Sequence, residues 1–328
     1  MRGVVRLVTQ HLRAAGSALC STKANHTIKP RTTATRSQAP LKCNLSAARL
    51  AASSTSLSAF SSRQLRSTAF SHEMPSSGSL DSIDPTQLHL MHADECILVD
   101  ENDNAVGHDS KLNCHLMEKG LLLHRAFSVF LFNSRNELLL QQRAEHKVTF
   151  PFVWTNTCCS HPLYTPEELD ETNHIGVRRA AQRKLLNELG IKPESMPLDA
   201  FTPITRIHYK APCGDKENKW GEHEVDYVLF AKLDVECEPN PEEVASIRYV
   251  SPEQLKSIVA EAETNLRASG GKEVSGRDGL MTLSPWFHLI VKHQLYDWWE
   301  ALASGTLDSK VDMGSVRRLS FDAESSGR

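Results

Sequence analysis

Between residues 88 and 303 the apolar positions fall into short continuous or alternating runs broken by polar turns, and into longer runs with a helical period. Glu95-Cys96-Ile97-Leu98-Val99-Asp100 reads as a strand, turned by Glu101-Asn102-Asp103-Asn104. Phe127 to Phe132 and Glu137 to Gln142 read as two strands, with Asn133-Ser134-Arg135-Asn136 as a hairpin turn between them. Val177, Ala181, Leu185 and Leu189, spaced by four, predict a helix over 177–189 that Gly190 ends. Arg206 to Lys210, Val225 to Leu233 and Arg248 to Val250 read as further strands. Three cap-then-proline signals, at Thr165-Pro166, Ser251-Pro252 and Ser284-Pro285, each predict a helix start. Strands and helices mix without a βαβ rhythm, so the pattern predicts one α+β domain with a mixed sheet rather than a doubly wound one.

Charge changes the picture at the N-terminus. Residues 1–72 hold eleven Lys and Arg and no Asp or Glu, whereas the rest carries 26 basic and 40 acidic residues, within a net −3 overall. An acid-free leader rich in Arg, Ser, Ala and Thr has the composition of a transit peptide. Plastid import, to the stroma, is expected from its Ser-rich stretch; a basic amphipathic start at residues 2–13 keeps the mitochondrion as the alternative. Residues 73–87 then read as a linker, 88–303 as a single catalytic domain, and 304–328, poor in apolar residues, as a flexible tail. No apolar run reaches the length a membrane span needs. The eight cysteines show no Cys-x-x-Cys pair, which argues against a thiolate zinc site and for reduced thiols.

The chemistry concentrates in Thr155 to Pro162, which contains the chain's Cys-x-His, Cys159 and His161. An extended backbone there puts both side chains on one face. In Trp220 to Tyr227 a strand likewise presents Glu222 and Glu224 on one face and turns His223 away. With His115 and His124 these residues make a five-membered set of nitrogen and oxygen donors, His115, His124, His161, Glu222 and Glu224, suited to a divalent first-row metal such as Zn²⁺, Mn²⁺ or Fe²⁺ without the thiol. Lys111, Arg143 and Lys147, at loops or strand ends, can meet the charge of a diphosphate. Arg183-Lys184-Leu185-Leu186-Asn187-Glu188-Leu189-Gly190-Ile191 resembles the end of a Nudix box in which Lys184 and Asn187 replace two acids and Glu188 survives, able to hold one Mg²⁺ against a substrate diphosphate.

Taken in order, Asn113-Cys114-His115, Leu123 to Phe127, Thr155 to Pro162, Thr205 to Lys210, Gly221 to Tyr227 and Ser284 to Phe287 make the chain resemble the type I isopentenyl-diphosphate isomerases, Nudix-fold enzymes of isoprenoid synthesis, over about residues 88 to 302. The resemblance implies a Nudix-type mixed sheet packed between helices and conversion of isopentenyl diphosphate to dimethylallyl diphosphate. It makes Cys159 and Glu224 the acid/base pair, Tyr209 a hydrogen-bond partner of that glutamate and Trp286 the ring facing the reacting carbons. It assigns the five donors to one metal, Zn²⁺, Mn²⁺ or Mg²⁺, and Glu188 to Mg²⁺. Lys111, Arg143, Lys147 and Lys184 match diphosphate contacts, Lys184 keeping the charge of an arginine without its bidentate fork. A monomer acting on a small diphosphate, with no nucleic acid, completes the expectation. Two rivals stand beside it: a Nudix diphosphohydrolase, and a binding module in which the metal set is structural.

Overall fold

The computed structural model describes residues 83–214, 218–269 and 279–320. The expected transit peptide, and most of the expected linker, lie outside these residues. In chain order the elements are α1 (Pro85–Ala93), β1 (Glu95–Val99), β2 (Ala105–Ser110), α2 (Lys111–His115), β3 (His124–Phe132), β4 (Leu138–Arg143), β5 (Trp154–Thr155), β6 (Cys158–Ser160), α3 (Ile175–Leu189), β7 (Thr202–Pro212), β8 (Gly221–Lys232), β9 (Val244–Val250), α4 (Pro252–Ala268), α5 (Pro285–Ile290), α6 (Tyr296–Ser304) and β10 (Asp312–Arg318).

The sheet is organised on β3, whose nine residues are all buried. A strand covered on both faces reads as a near-continuous apolar run, as β3 does. It runs parallel to β8, with pairs from His124 with Glu224 to Phe132 with Lys232, and antiparallel to β1, β4 and β6. β7 pairs antiparallel with β8, and β4 carries β5 and β9. Strand parity divides the core. Phe127, Val129, Leu131 and Leu229 pack with Val177, Ala181, Leu185 and Leu189 of α3. Phe130, Phe132, Val228 and Phe230 pack with Phe287, Leu295 and Trp298 from the C-terminal helices. The mixed sheet between helices is therefore as the pattern predicts.

Both ends of the domain depart from the sequence reading. Pro85–Ala93 is a helix that begins in the last three residues of the expected linker and runs into the domain: Asp84 caps it by accepting from Thr86 N (2.9 Å) and Gln87 N (3.0 Å), and Pro85 opens it. The expected flexible tail instead forms β10, parallel to β7, anchored where Arg206 donates to Met313 O at 2.8 Å and Arg318 pairs with Glu101. Its low apolar content misleads because backbone pairing and surface ion pairs hold it, with Met313, Val316 and Leu319 only half-buried against the core.

The helix expected at Thr165 is also absent. Leu169 N donates to Thr165 O at 2.9 Å and the turn goes no further. Glu168, the acid three residues after Thr165, is drawn elsewhere: it accepts from Leu163 N (2.7 Å) and pairs with Arg183 (2.6 Å). Asn173 and His174 then take left-handed backbone, φ 49° and 57°, and helical structure restarts only with α3. Gly176 is required there, because a Cβ would lie 2.2 Å from Glu168 O.

A buried ion cluster ties the strands that carry the site. Asp103 receives Arg125 Nε at 2.8 Å, Arg206 Nη1 at 3.1 Å and the Tyr227 hydroxyl, joining the β1–β2 turn to β3, β7 and β8. Burial costs each charge several kcal/mol by itself, so the cluster persists only because its members satisfy one another.

Candidate active site

α2 is a single turn capped by Ser110, whose Oγ accepts from Asn113 N at 3.2 Å. Residues four apart share a helix face, so Lys111 and His115 both reach the cleft that forms above β3, β6 and β8. β6 is extended, and Cys159 and His161 do line that cleft together. Glu222 and Glu224 turn inward from β8, while His223 points away to Leu121 O (2.8 Å) and His208 (3.0 Å). The cleft encloses about 600 Å³, part of it open to solvent. It also collects Arg143, Lys147, Lys184, Glu188, Tyr209 and Trp286, so the residues singled out from sequence converge here, with His124 buried behind the cleft wall.

The five expected metal ligands form one cluster, with donor atoms all within 4.8 Å of one another. Three imidazoles stand at the corners of a triangle with ring centroids 4.8 to 5.0 Å apart. His115 Nδ1 lies 2.6 Å from Lys111 O and His124 Nδ1 2.7 Å from Leu122 O. Both contacts place the proton on Nδ1 and leave the Nε2 lone pair facing inward, the tautomer a metal needs. His115 Nε2 is then 2.8 Å from Glu222 Oε2 with no hydrogen to give it, and His124 Nε2 and Glu222 Oε2 are buried without hydrogen-bond partners. Two lone pairs pressed together in a dry site are what a shared cation relieves. The donor set therefore fits a divalent ion.

Charges around the cluster are polarised. Burial raises the Glu224 carboxyl, but the adjoining imidazoles, His161 at 2.8 Å and His124 at 3.6 Å, outweigh it and hold Glu224 well below the usual carboxylate range. The Tyr209 hydroxyl donates to the other oxygen of Glu224. Across the cleft floor, burial pushes the Cys159 thiol up to about 12 against the pull of Arg143, so it keeps its proton.

Cys159 stands level with Ser128 on β3 and Glu224 level with His124, on the same face of the sheet. They stand on opposite sides of β3, offset by four strand residues, roughly 13 Å along the strand, and both side chains line the cleft.

The cationic wall is held by acids that a substrate would replace or share. Lys184 lies 3.1 Å from Glu188, one helical turn away, and Glu188 also receives Gln141 Nε2 at 3.1 Å. Lys147 sits 2.6 Å from Glu243, a buried acid the sequence reading missed. Burial, reinforced by Arg143, Lys111 and Lys184, outweighs Glu243 and brings Lys147 down to about 8. A dianionic ligand binds the charged form, so kcat/KM for a diphosphate is expected to fall as pH rises through about 8. Lys147→Met should remove that alkaline limb and lower kcat/KM by about tenfold or more, the worth of one charge-assisted bond; an unchanged limb in a pH profile of the variant would exclude Lys147 as its source.

Gln87, Met91 and Ser128 are among the cleft residues that escaped the sequence reading. Gln87 and Met91 come from α1, and their signal was available in the Asp84-Pro85 cap. Ser128 lines the cleft and donates to Asp226 at 2.8 Å, and burial lifts the Asp226 carboxyl well above its ordinary value. Nothing in the sequence distinguished that aspartate from a strand-edge acid.

Residues 122–269 match the NUDIX domain family. Isopentenyl-diphosphate Delta-isomerase I, chloroplastic, of Arabidopsis thaliana is 54% identical over 259 residues, spanning 78% of this chain and 84% of that one. The chain belongs to the type I isopentenyl-diphosphate isomerases. Isopentenyl-diphosphate Delta-isomerase II, chloroplastic, of the same plant is 57% identical over 240 residues, covering 72% of this chain and 79% of its own. The corresponding isomerase I of Camptotheca acuminata is 56% identical and covered to 96% of its length. Within this isomerase family the matched Nudix segment leaves out Lys111, His115 and Trp286, which flank it on both sides and complete the cleft.

Proposed function

We propose that this chain converts isopentenyl diphosphate to dimethylallyl diphosphate, and that Cys159 and Glu224 divide the proton transfers. The observation that carries the reading is the convergence of a thiol, Cys159, and a carboxylate, Glu224, on one cleft with the Trp286 ring and four basic side chains. The reaction adds a proton to the terminal alkene carbon, leaving a tertiary cation, and removes one from the carbon on its other side. The pair holds one proton to give and one place to receive it; each turnover moves the proton from Cys159 to Glu224, and exchange with solvent between turnovers resets the pair.

An alkene is a weak base, so the cation needs a dry pocket and a π face. Trp286, 5% exposed and T-shaped against Phe150, supplies both. Tyr209 steadies Glu224 through its hydrogen bond. A divalent ion on His115, His124, His161, Glu222 and Glu224 would orient Glu224 and lower its hold on a proton. Lys111, Arg143, Lys147 and Lys184 take the diphosphate, with Glu188 meeting the Mg²⁺ that accompanies it. Arg143 is ready for this role: bonds to Thr149 O (2.9 Å) and Phe150 O (3.1 Å) hold its guanidinium in place.

Hydrolysis is disfavoured on one observation. The acid that survives in the Nudix box, Glu188, is engaged by Lys184 at 3.1 Å, and Lys184 stands where an acid of the box would stand. We place the enzyme in the plastid, because relatives carry chloroplastic names and residues 1–72 are basic and free of acids. No helix among the described residues is long and apolar enough to cross a membrane. We take the working unit as a monomer acting on a small molecule.

Incubating the full chain with isopentenyl diphosphate in D₂O, with and without chelator, tests the reading. Proton NMR should show dimethylallyl diphosphate carrying deuterium, no released phosphate, and loss of turnover on chelation with the fold retained. Phosphate release without isomer would favour the hydrolase; chelation that unfolds the domain would favour a structural metal.

A further inference from the structure

We propose that Asn156 is a positioning residue for the isomerisation: it holds the indole of Trp286 and the peptide that carries Cys159 on one rigid amide, fixing where the π face stands relative to the thiol. The inference rests on the reading that Trp286 faces the developing cation. Its ground is the hydrogen-bond inventory of one fully buried side chain. A carboxamide has two acceptor sites and two donors. Asn156 Oδ1 accepts from Trp286 Nε1 at 3.0 Å and from Thr155 Oγ1 at 2.9 Å. Nδ2 donates to Val129 O at 3.1 Å and to Cys158 O at 3.0 Å. Every site is used, so the amide can neither rotate nor flip without losing bonds in a dry interior.

The partners decide what that rigidity is for. Val129 belongs to β3, the floor of the cleft, and Cys158 O belongs to the peptide bond that leads into Cys159. The indole N–H is a donor only and the single polar handle on the ring. Trp286 arrives from 130 residues away in sequence, at the start of α5, and this handle is its polar link to the thiol's strand. A second seam lies alongside, where Thr155 Oγ1 meets Ser284 Oγ at 2.8 Å, Trp154 N donates to Thr282 O and Ser284 N donates to Trp154 O. That seam docks the α5 backbone. Asn156 adds the bond that sets the tilt of the ring. Stabilisation of a cation by a π face depends on where the ring stands. For a purely structural asparagine, the ring's tilt would be incidental to turnover.

The test uses the full-length, metal-loaded protein. Asn156→Ala should lower kcat about 30-fold with KM changed by less than about threefold, a displaced ring rather than a lost binding contact. Replacing Trp286 by β-(3-benzothienyl)alanine, which keeps the bicyclic ring and exchanges only the N–H for sulfur, should cost kcat a similar factor. The two changes combined should cost no more than the larger alone, because both remove the same bond. Costs that multiply, or a benzothienyl variant turning over within about threefold of the parent, overturn the proposal. If Asn156→Ala does not fold, the benzothienyl variant decides alone. Trp286→Ala separates the premise: full turnover there means the ring does not serve the cation, whereas a silent Trp286→Ala beside an unaffected benzothienyl variant means that only the positioning role fails.

Discussion

Cys159→Ala is expected to abolish turnover while isopentenyl diphosphate still binds. The substitution removes one of the two groups that exchange protons with the substrate and leaves Lys111, Arg143, Lys147 and Lys184 untouched. General acid–base catalysis by a positioned group is worth about 10² to 10⁴-fold. The loss should reach the upper end, because the hydroxyl level with Cys159, that of Ser128, is committed to Asp226. Calorimetric titration should find the diphosphate bound within about threefold of the parent affinity, since the charge-assisted contacts that hold it are unchanged. Turnover within about tenfold of the parent would remove Cys159 from the chemistry.

Glu224→Gln should be as damaging for a different reason, and a neighbouring change separates the causes. Glu224 is both a proton site and a metal ligand in the proposed scheme; its oxygens bond His161 and the Tyr209 hydroxyl, and His124 lies 3.6 Å away. An amide cannot take the proton and is a weaker ligand. Glu222→Gln loses a ligand and keeps the proton site. Weakening one ligand costs metal affinity on the order of 10 to 100-fold. Added divalent ion should therefore restore much of the activity of Glu222→Gln and none of that of Glu224→Gln, with metal content read by mass spectrometry. Recovery of Glu224→Gln at high metal would reduce this residue to a ligand.

Strand parity explains why so much of the cleft could be read in advance. Side chains alternate at a period of two, so Glu222 and Glu224 had to share a face and His223 had to leave it, whichever sheet they joined. The same rule joined Cys159 to His161. Parity does not say which strands are neighbours: that His124 lies beside Glu224 depends on the parallel pairing of β3 with β8, a contact between residues 100 apart. Asn156 shows the limit from another side. It lay in plain view within Thr155 to Pro162, but its four partners come from three segments, and a carboxamide's role is defined by partners. The misplaced helix at Thr165 has a local cause. A capping signature predicts a start only if its acid is free to cap, and Glu168 is taken by Arg183.

The strand formed by Asp312–Arg318 has a practical side. It covers the outer edge of β7, the strand that carries Tyr209, by parallel pairing at Thr205 to His208. A chain cut after Ser304, where the C-terminal helix ends, would leave that edge with open N–H and C=O groups along its length. Such edges recruit other strands, and the commonest partner at expression concentrations is another copy of the same edge. Shortened versions that keep every cleft residue are thus prone to self-association through β7, and a fusion partner is better attached beyond Ser320 than in place of β10.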